Sequence, residues 1–117
     1  MKNSELRIGN WITFDGLEAQ VIAIPDGDFY EDKKFKPIPI TEEWLANFGI
    51  YEYDRMGDLI YLSFKEIEKF DFNFCLFKFQ LSVTIFRQPW TNSIEIYDVH
   101  SLQNLYFALT GKELQMQ

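Results

Sequence analysis

His100 is the only histidine and Cys75 the only cysteine in this chain of 117 residues, which leaves little scope for nucleophilic or acid–base chemistry. A histidine base needs a nucleophile to deprotonate and an acid to orient its ring. Asp98 lies two residues from His100 and, were both on one helix, would face elsewhere. Cys75 falls in a phenylalanine-rich run, Phe70 to Phe79, where a thiol stays protonated and inert. We therefore read His100 as a helix-start residue making local hydrogen bonds, and assign no catalytic residue. Glu42-Glu43 form an adjacent acid pair, but they fall in the first turn of a short helix, where cap and dipole account for them. Asp26-Gly27-Asp28 opens like a calcium loop. The closing bidentate glutamate would fall at position 37, which is Pro37, so we expect no metal. No GxGxxG, Walker loop, HExxH or CxxC occurs, and no cofactor is expected.

Composition narrows the class further. The aromatic share is 18%, with twelve phenylalanines, six tyrosines and three tryptophans, so a folded domain with an aromatic core is expected. Net charge is −7, concentrated in the middle: residues 41–73 carry three Lys/Arg against eight Asp/Glu. Nucleic-acid affinity comes from lysine and arginine on phosphates, so direct nucleic-acid binding is not expected. Phe70, Phe72 and Phe74 lack the basic neighbours of a base-stacking platform and read as core. No run approaches the length of a membrane span, and the polar start Met1-Lys2-Asn3-Ser4-Glu5 has no h-region. With a single cysteine, these features predict a cytoplasmic protein.

The elements that would position any site follow from pattern. Residues 6–14 and 18–24 flank Asp15-Gly16 and predict a hairpin, because both turn positions tolerate positive φ. Its pattern resembles the opening of small SH3-like barrels. Pro37-Ile38-Pro39-Ile40 must be extended. Thr41 caps a helix over 42–48, burying Trp44, Leu45 and Phe48, and Gly49 ends it. Residues 50–53 and 59–64 form strands around a five-residue loop, 54–58. Lys65 to Lys69 reads as a charged connection. Phe70, Phe72, Phe74 and Leu76 share one face and Phe77, Phe79, Leu81, Val83 and Ile85 the other. That parity switch demands a bulge, a turn or burial on both faces. Residues 87–92, with Trp90, predict a turn, and 93–97 a last strand. Val99, Leu102, Leu105 or Tyr106, and Leu109 then define a helix capped by Asp98 and Gly111, with Phe107 and Ala108 widening its apolar face. The fold class is α+β: one domain over 1–117, with a curved antiparallel sheet, a short middle helix and a C-terminal helix.

Three blocks, Glu5-Leu6-Arg7-Ile8-Gly9-Asn10, Pro37 to Leu45 with Phe48-Gly49, and His100 with Leu102 to Gly111, are together distinctive. On them the chain resembles a group of small uncharacterised proteins encoded by phages and prophages of Bacteroides-type gut bacteria. The resemblance implies an accessory protein expressed in the host cytoplasm, and no functional residue comes with it. The reading is a non-enzymatic module that binds a host or phage protein. The expected partner surface comprises Glu52, Asp54, Asp58, Glu66, Glu68 and Asp71, joined by Trp90, and would meet a basic face. Three other readings stay open: a small-molecule or nucleotide-sequestering domain, which needs a pocket, a homo-oligomeric structural subunit and, ranked last, an enzyme using Cys75 or His100.

Overall fold

Asp15 and Gly16 both adopt positive φ, 54° and 82°, and so form the tight turn whose twist matches two antiparallel strands. They join β1 (Trp11–Phe14) to β2 (Leu17–Gln20), with Phe14 opposite Leu17. The computed structural model describes residues 1–64, 72–78, 80–85 and 92–117, the backbone alone at 72, 73, 84, 85, 92 and 93. Two helices accompany antiparallel sheets, so the fold is α+β. The strands divide between two open sheets instead of forming a single curved one. The chain forms two compact units: residues 1–39 with 98–114, and residues 40–97 with 115–117.

In the first unit the sheet order is β2-β1-β3, where β3 is Phe35–Lys36. The first strand begins at Trp11 and not at Leu6, for a local reason. Asn10 Oδ1 accepts from the Arg7 N–H (2.7 Å) and the Asn10 N–H bonds the Arg7 carbonyl (3.1 Å). An asparagine side chain competing for backbone groups closes a turn before the strand can start. Leu6, Ile12, Val21 and Tyr30 form the core, with Phe35 packed against it.

Helix α2 (Val99–Thr110) has the predicted ends. Asp98 accepts from the Ser101 N–H (3.0 Å), and Gly111, at φ 74°, returns its N–H to Phe107 (2.8 Å). Its buried face is Val99, His100, Leu102 and Gln103, so the apolar surface is narrower than predicted. Phe107 is exposed, with the Arg7 guanidinium 3.9 Å above its ring.

The second unit begins with α1 (Glu42–Asn47). Thr41 Oγ1 accepts from the Trp44 N–H (3.2 Å), Leu45 and Phe48 are fully buried and Gly49 turns at φ 82°, all as predicted. Five strands then run as a meander: β4 (Ile50–Met56), β5 (Leu59–Phe64), β6 (Phe72–Phe77), β7 (Gln80–Ile85) and β8 (Asn92–Ile96). The loop expected at 54–58 shrinks to Gly57 and Asp58, since β4 continues to Met56 after a bulge at Tyr53. The parity switch after Leu76 is a turn: Phe77 pairs with Gln80, and Lys78 sits at φ 58°. The readings placed on Lys65 to Lys69, Phe70, Phe79 and the turn before β8 lie outside the described residues.

Residues opposite each other across antiparallel strands share a face. One face carries the rows Ile60–Leu76–Leu81–Ile96 and Leu62–Phe74–Val83, all buried. The opposite, outer face carries the rows Met56–Leu59–Phe77–Gln80 and Asp54–Tyr61–Cys75–Ser82–Glu95.

Candidate partner-binding surface

Of the nominated acids, Glu66, Glu68 and Asp71, together with Trp90, lie outside the described residues. The remaining three lie on the β4–β5 hairpin but do not share one face. Glu52 pairs in register with buried Leu62, so it extends the apolar row to the sheet edge; Asp54 pairs with Tyr61 and belongs to the outer face. The bulge at Tyr53 causes this, because one extra residue reverses the alternation. Asp58 sits in the turn.

Glu52 already has an internal partner. Its Oε1 accepts from Arg55 Nε at 2.6 Å, and Arg55 also reaches Glu42 of α1 at 3.4 Å. These contacts raise the Arg55 pKa, the Glu52 hydrogen bond most. Among the described residues β4 pairs with β5 alone, so it is a sheet edge. Charges pointing toward the apolar face, plus a bulge, discourage another strand from adding to such an edge. Glu52 and Arg55 therefore serve the fold first.

Beside this ion pair runs an open cleft of about 340 Å³, lined by Glu42, Ala46, Ile50, Glu52, Ile60 and Leu62 among others. A smaller one of about 220 Å³ lies between Arg55, Asp58 and Lys78. The larger cleft is lined mainly by apolar residues, and the smaller one gathers Glu42, Arg55, Asp58 and Lys78 around Ile60; both are open to solvent.

The outer face offers something different. Met56, Leu59 and Phe77 are neighbours in one cross-strand row and are 64%, 36% and 43% exposed. Tyr53, exposed, packs its ring 6.4 Å from that of Tyr61 in the next row. The result is a continuous exposed patch of aromatic and apolar side chains. Asp54 borders it on the β4 side, Lys78 borders it beyond Phe77, and Asp58 sits in the β4–β5 turn, where it lines the smaller cleft with Lys78. The sequence pattern did not mark these apolar residues, because alternation alone does not reveal which face of a sheet stays uncovered.

The chemistry-bearing residues have structural surroundings. His100 is 2% exposed, with Nδ1 3.2 Å from Asp98 Oδ1 and Nε2 3.7 Å from Glu5 Oε2. Asp98 thus does not face away: as the N-cap it stands outside the helix, beside the ring. Despite this approach Nδ1 makes no hydrogen bond, while Asp98 Oδ1 accepts from the Ser101 N–H. Cys75 is half-buried between Tyr61 and Ser82 in the second unit, and burial pushes its thiol pKa up. Among the described residues, no group of three His, Cys, Asp or Glu is placed to hold a metal ion. Nor is any helix among them long and apolar enough to cross a membrane.

The distinctive N-terminal and C-terminal blocks meet in a polar network. Gln103, 2% exposed, accepts from the Trp11 N–H (2.8 Å) and donates to the Gly9 carbonyl (3.0 Å). Asn104 Oδ1 accepts from Asn10 (3.0 Å) and Arg7 (3.1 Å), and its Nδ2 donates to the Glu5 carbonyl (2.8 Å). Arg7 further pairs with Glu113. Every member is engaged with its neighbours, so this network anchors α2 to the turn before β1. The missed signal was Gln103 itself, a polar residue four positions after Val99 on an apolar helical face.

Set against protein-family models, curated proteins and solved structures, the chain matches none of them.

Proposed function

We propose that the chain is a non-enzymatic protein-binding module, an accessory protein of phage or prophage origin that engages a host or phage protein in the bacterial cytoplasm. One observation carries the reading: an exposed, continuous apolar patch on the outer sheet face, edged by carboxylates. Monomeric proteins seldom leave such patches uncovered without a partner. Interfaces commonly place aromatics and methionine centrally and charge at the rim. The phage context rests on the three-block resemblance alone.

The test is an affinity capture of tagged protein from bacterial lysate, with and without phage infection, read by mass spectrometry. A single dominant partner that is lost when Leu59 and Phe77 are replaced by acids is the expected result. A partner retained in full by those variants would remove this surface from the account. Recovery of no partner in either lysate would count against the binding-module reading itself.

A further inference from the structure

We infer that the outer sheet face receives an amphipathic helix of the partner, its apolar stripe flanked by lysine or arginine. The inference rests on the binding-module reading and adds the partner's chemistry. Three observations lead to it.

The first is width. Met56, Leu59 and Phe77 stand on three successive strands. Two strand spacings amount to roughly 10 Å, which is about the diameter of one helix. The second is the edge itself. Strand addition to β4 is opposed by the bulge at Tyr53 and by Glu52 and Arg55 on its other face, so a partner at this end of the sheet engages the face and not the β4 rim. The third is charge. On the outer face Asp54 stands on β4 and Glu95 on β8 of the same cross-strand row, Asp58 sits in the β4–β5 turn, and Glu52, on the other face, is paired with Arg55. A helix lying on this face therefore meets Asp54 on the β4 flank, Glu95 on the β8 flank, and Asp58 with Lys78 at the turn end beyond Phe77. Basic residues toward β4 complement it, and like charges there would repel. A second copy of this chain is the poorer occupant, because two such faces would bring Asp54 and Asp58 against each other's acidic surroundings in a chain of net charge −7.

The probe is a synthetic amphipathic helix with a leucine stripe and lysine flanks, compared with the same stripe carrying glutamate flanks. Each is titrated into the full chain, with binding read by calorimetry and its location by NMR amide shifts. We expect saturable binding of the lysine peptide, mapped to Met56, Leu59 and Phe77, and about tenfold weaker binding of the glutamate peptide, the effect of a mismatched rim. Leu59→Glu separates this from mere attraction between opposite charges. It makes the protein more acidic, so non-specific attraction would rise, whereas seating on the patch falls by about tenfold as a central anchor is lost. Asp54→Lys with Asp58→Lys should weaken the lysine peptide and favour the glutamate one.

Equal binding of both peptides, shifts that map elsewhere, no saturable binding, or tighter binding by Leu59→Glu would each overturn the inference. Light scattering that shows a dimer dissolved by Leu59→Glu would overturn it in favour of a second copy. Capture of a cellular partner through another surface would defeat this inference and leave the binding-module reading standing.

Discussion

Replacing Gln103 by leucine tests how α2 is attached to the first sheet. The volumes are similar, so the change removes hydrogen bonds more than packing. In the native chain the Gln103 amide spans two backbone groups, accepting from Trp11 and donating to Gly9. It occupies the side of β1 where β3, paired only at Thr13 and Phe14, does not reach. The Gly9 carbonyl keeps a second donor, Gln20 Nε2 at 3.2 Å. The Trp11 N–H loses this acceptor, and stranding a donor inside a fold costs roughly 1–3 kcal/mol. We take about 2 kcal/mol, with the leucine recovering some apolar burial. Unfolding entropy of about 2.1 cal/mol/K per residue makes about 0.25 kcal/mol/K for a chain this long, so Tm should fall by about 8 °C. Calorimetry or circular dichroism measures it. Gln103→Glu adds a pH signature: protonated, the side chain can still donate to Gly9, but ionised it cannot and carries a buried charge. Its loss of stability should therefore grow from pH 4 to pH 7. A Gln103→Leu shift under about 2 °C, or a pH-independent Gln103→Glu, would refute the attachment role.

Three further outcomes follow from local geometry. Asp98→Ala removes the N-cap of α2 and should cost about 1 kcal/mol, measured by denaturant unfolding, whereas Asp98→Asn should retain most of that stability. Tyr30→Phe deletes the hydroxyl that donates to the Ala23 carbonyl at 2.7 Å, at a cost of about 1 kcal/mol. Burial also raises the Tyr30 pKa, so its phenol favours the fold below its unfolded pKa; that contribution is lost as pH rises through the folded value, and Tyr30→Phe should blunt this alkaline loss in a pH series of melts. Cys75, its pKa raised by burial, should react with a thiol reagent more slowly than a free cysteine at neutral pH, and its rate should rise at higher pH than the free thiol's.

What was legible in the sequence was mostly local. Asp15-Gly16, the caps Thr41, Asp98 and Gly111, and the buried Trp44, Leu45 and Phe48 all follow from rules that act within a few residues. The parity reversal between Leu76 and Phe77 correctly marked an irregularity, and three physical solutions fitted it; only strand pairing distinguishes the turn. The bulge at Tyr53 was hidden because Tyr51, Tyr53 and Met56 suit either face, and it is the bulge that separates Glu52 from Asp54. A charge count over residues 41–73 could not see that Glu52 is held by Arg55 or that the exposed row Met56–Leu59–Phe77 is assembled from three strands. The network of Arg7, Asn10, Gln103 and Asn104 joins residues more than ninety positions apart, beyond the reach of periodicity.

The central claim is that the outer face of the five-stranded sheet is where a partner binds. Photo-crosslinking tests it, with a benzophenone side chain placed at Leu59 or, as a more accessible control on the other unit, at Ile22, which is 85% exposed against 36% for Leu59. In infected and uninfected lysate, one dominant adduct is expected from position 59, absent from position 22 and suppressed by Asp54→Lys with Asp58→Lys. The same adduct from both positions, or an adduct from position 22 alone, would contradict it.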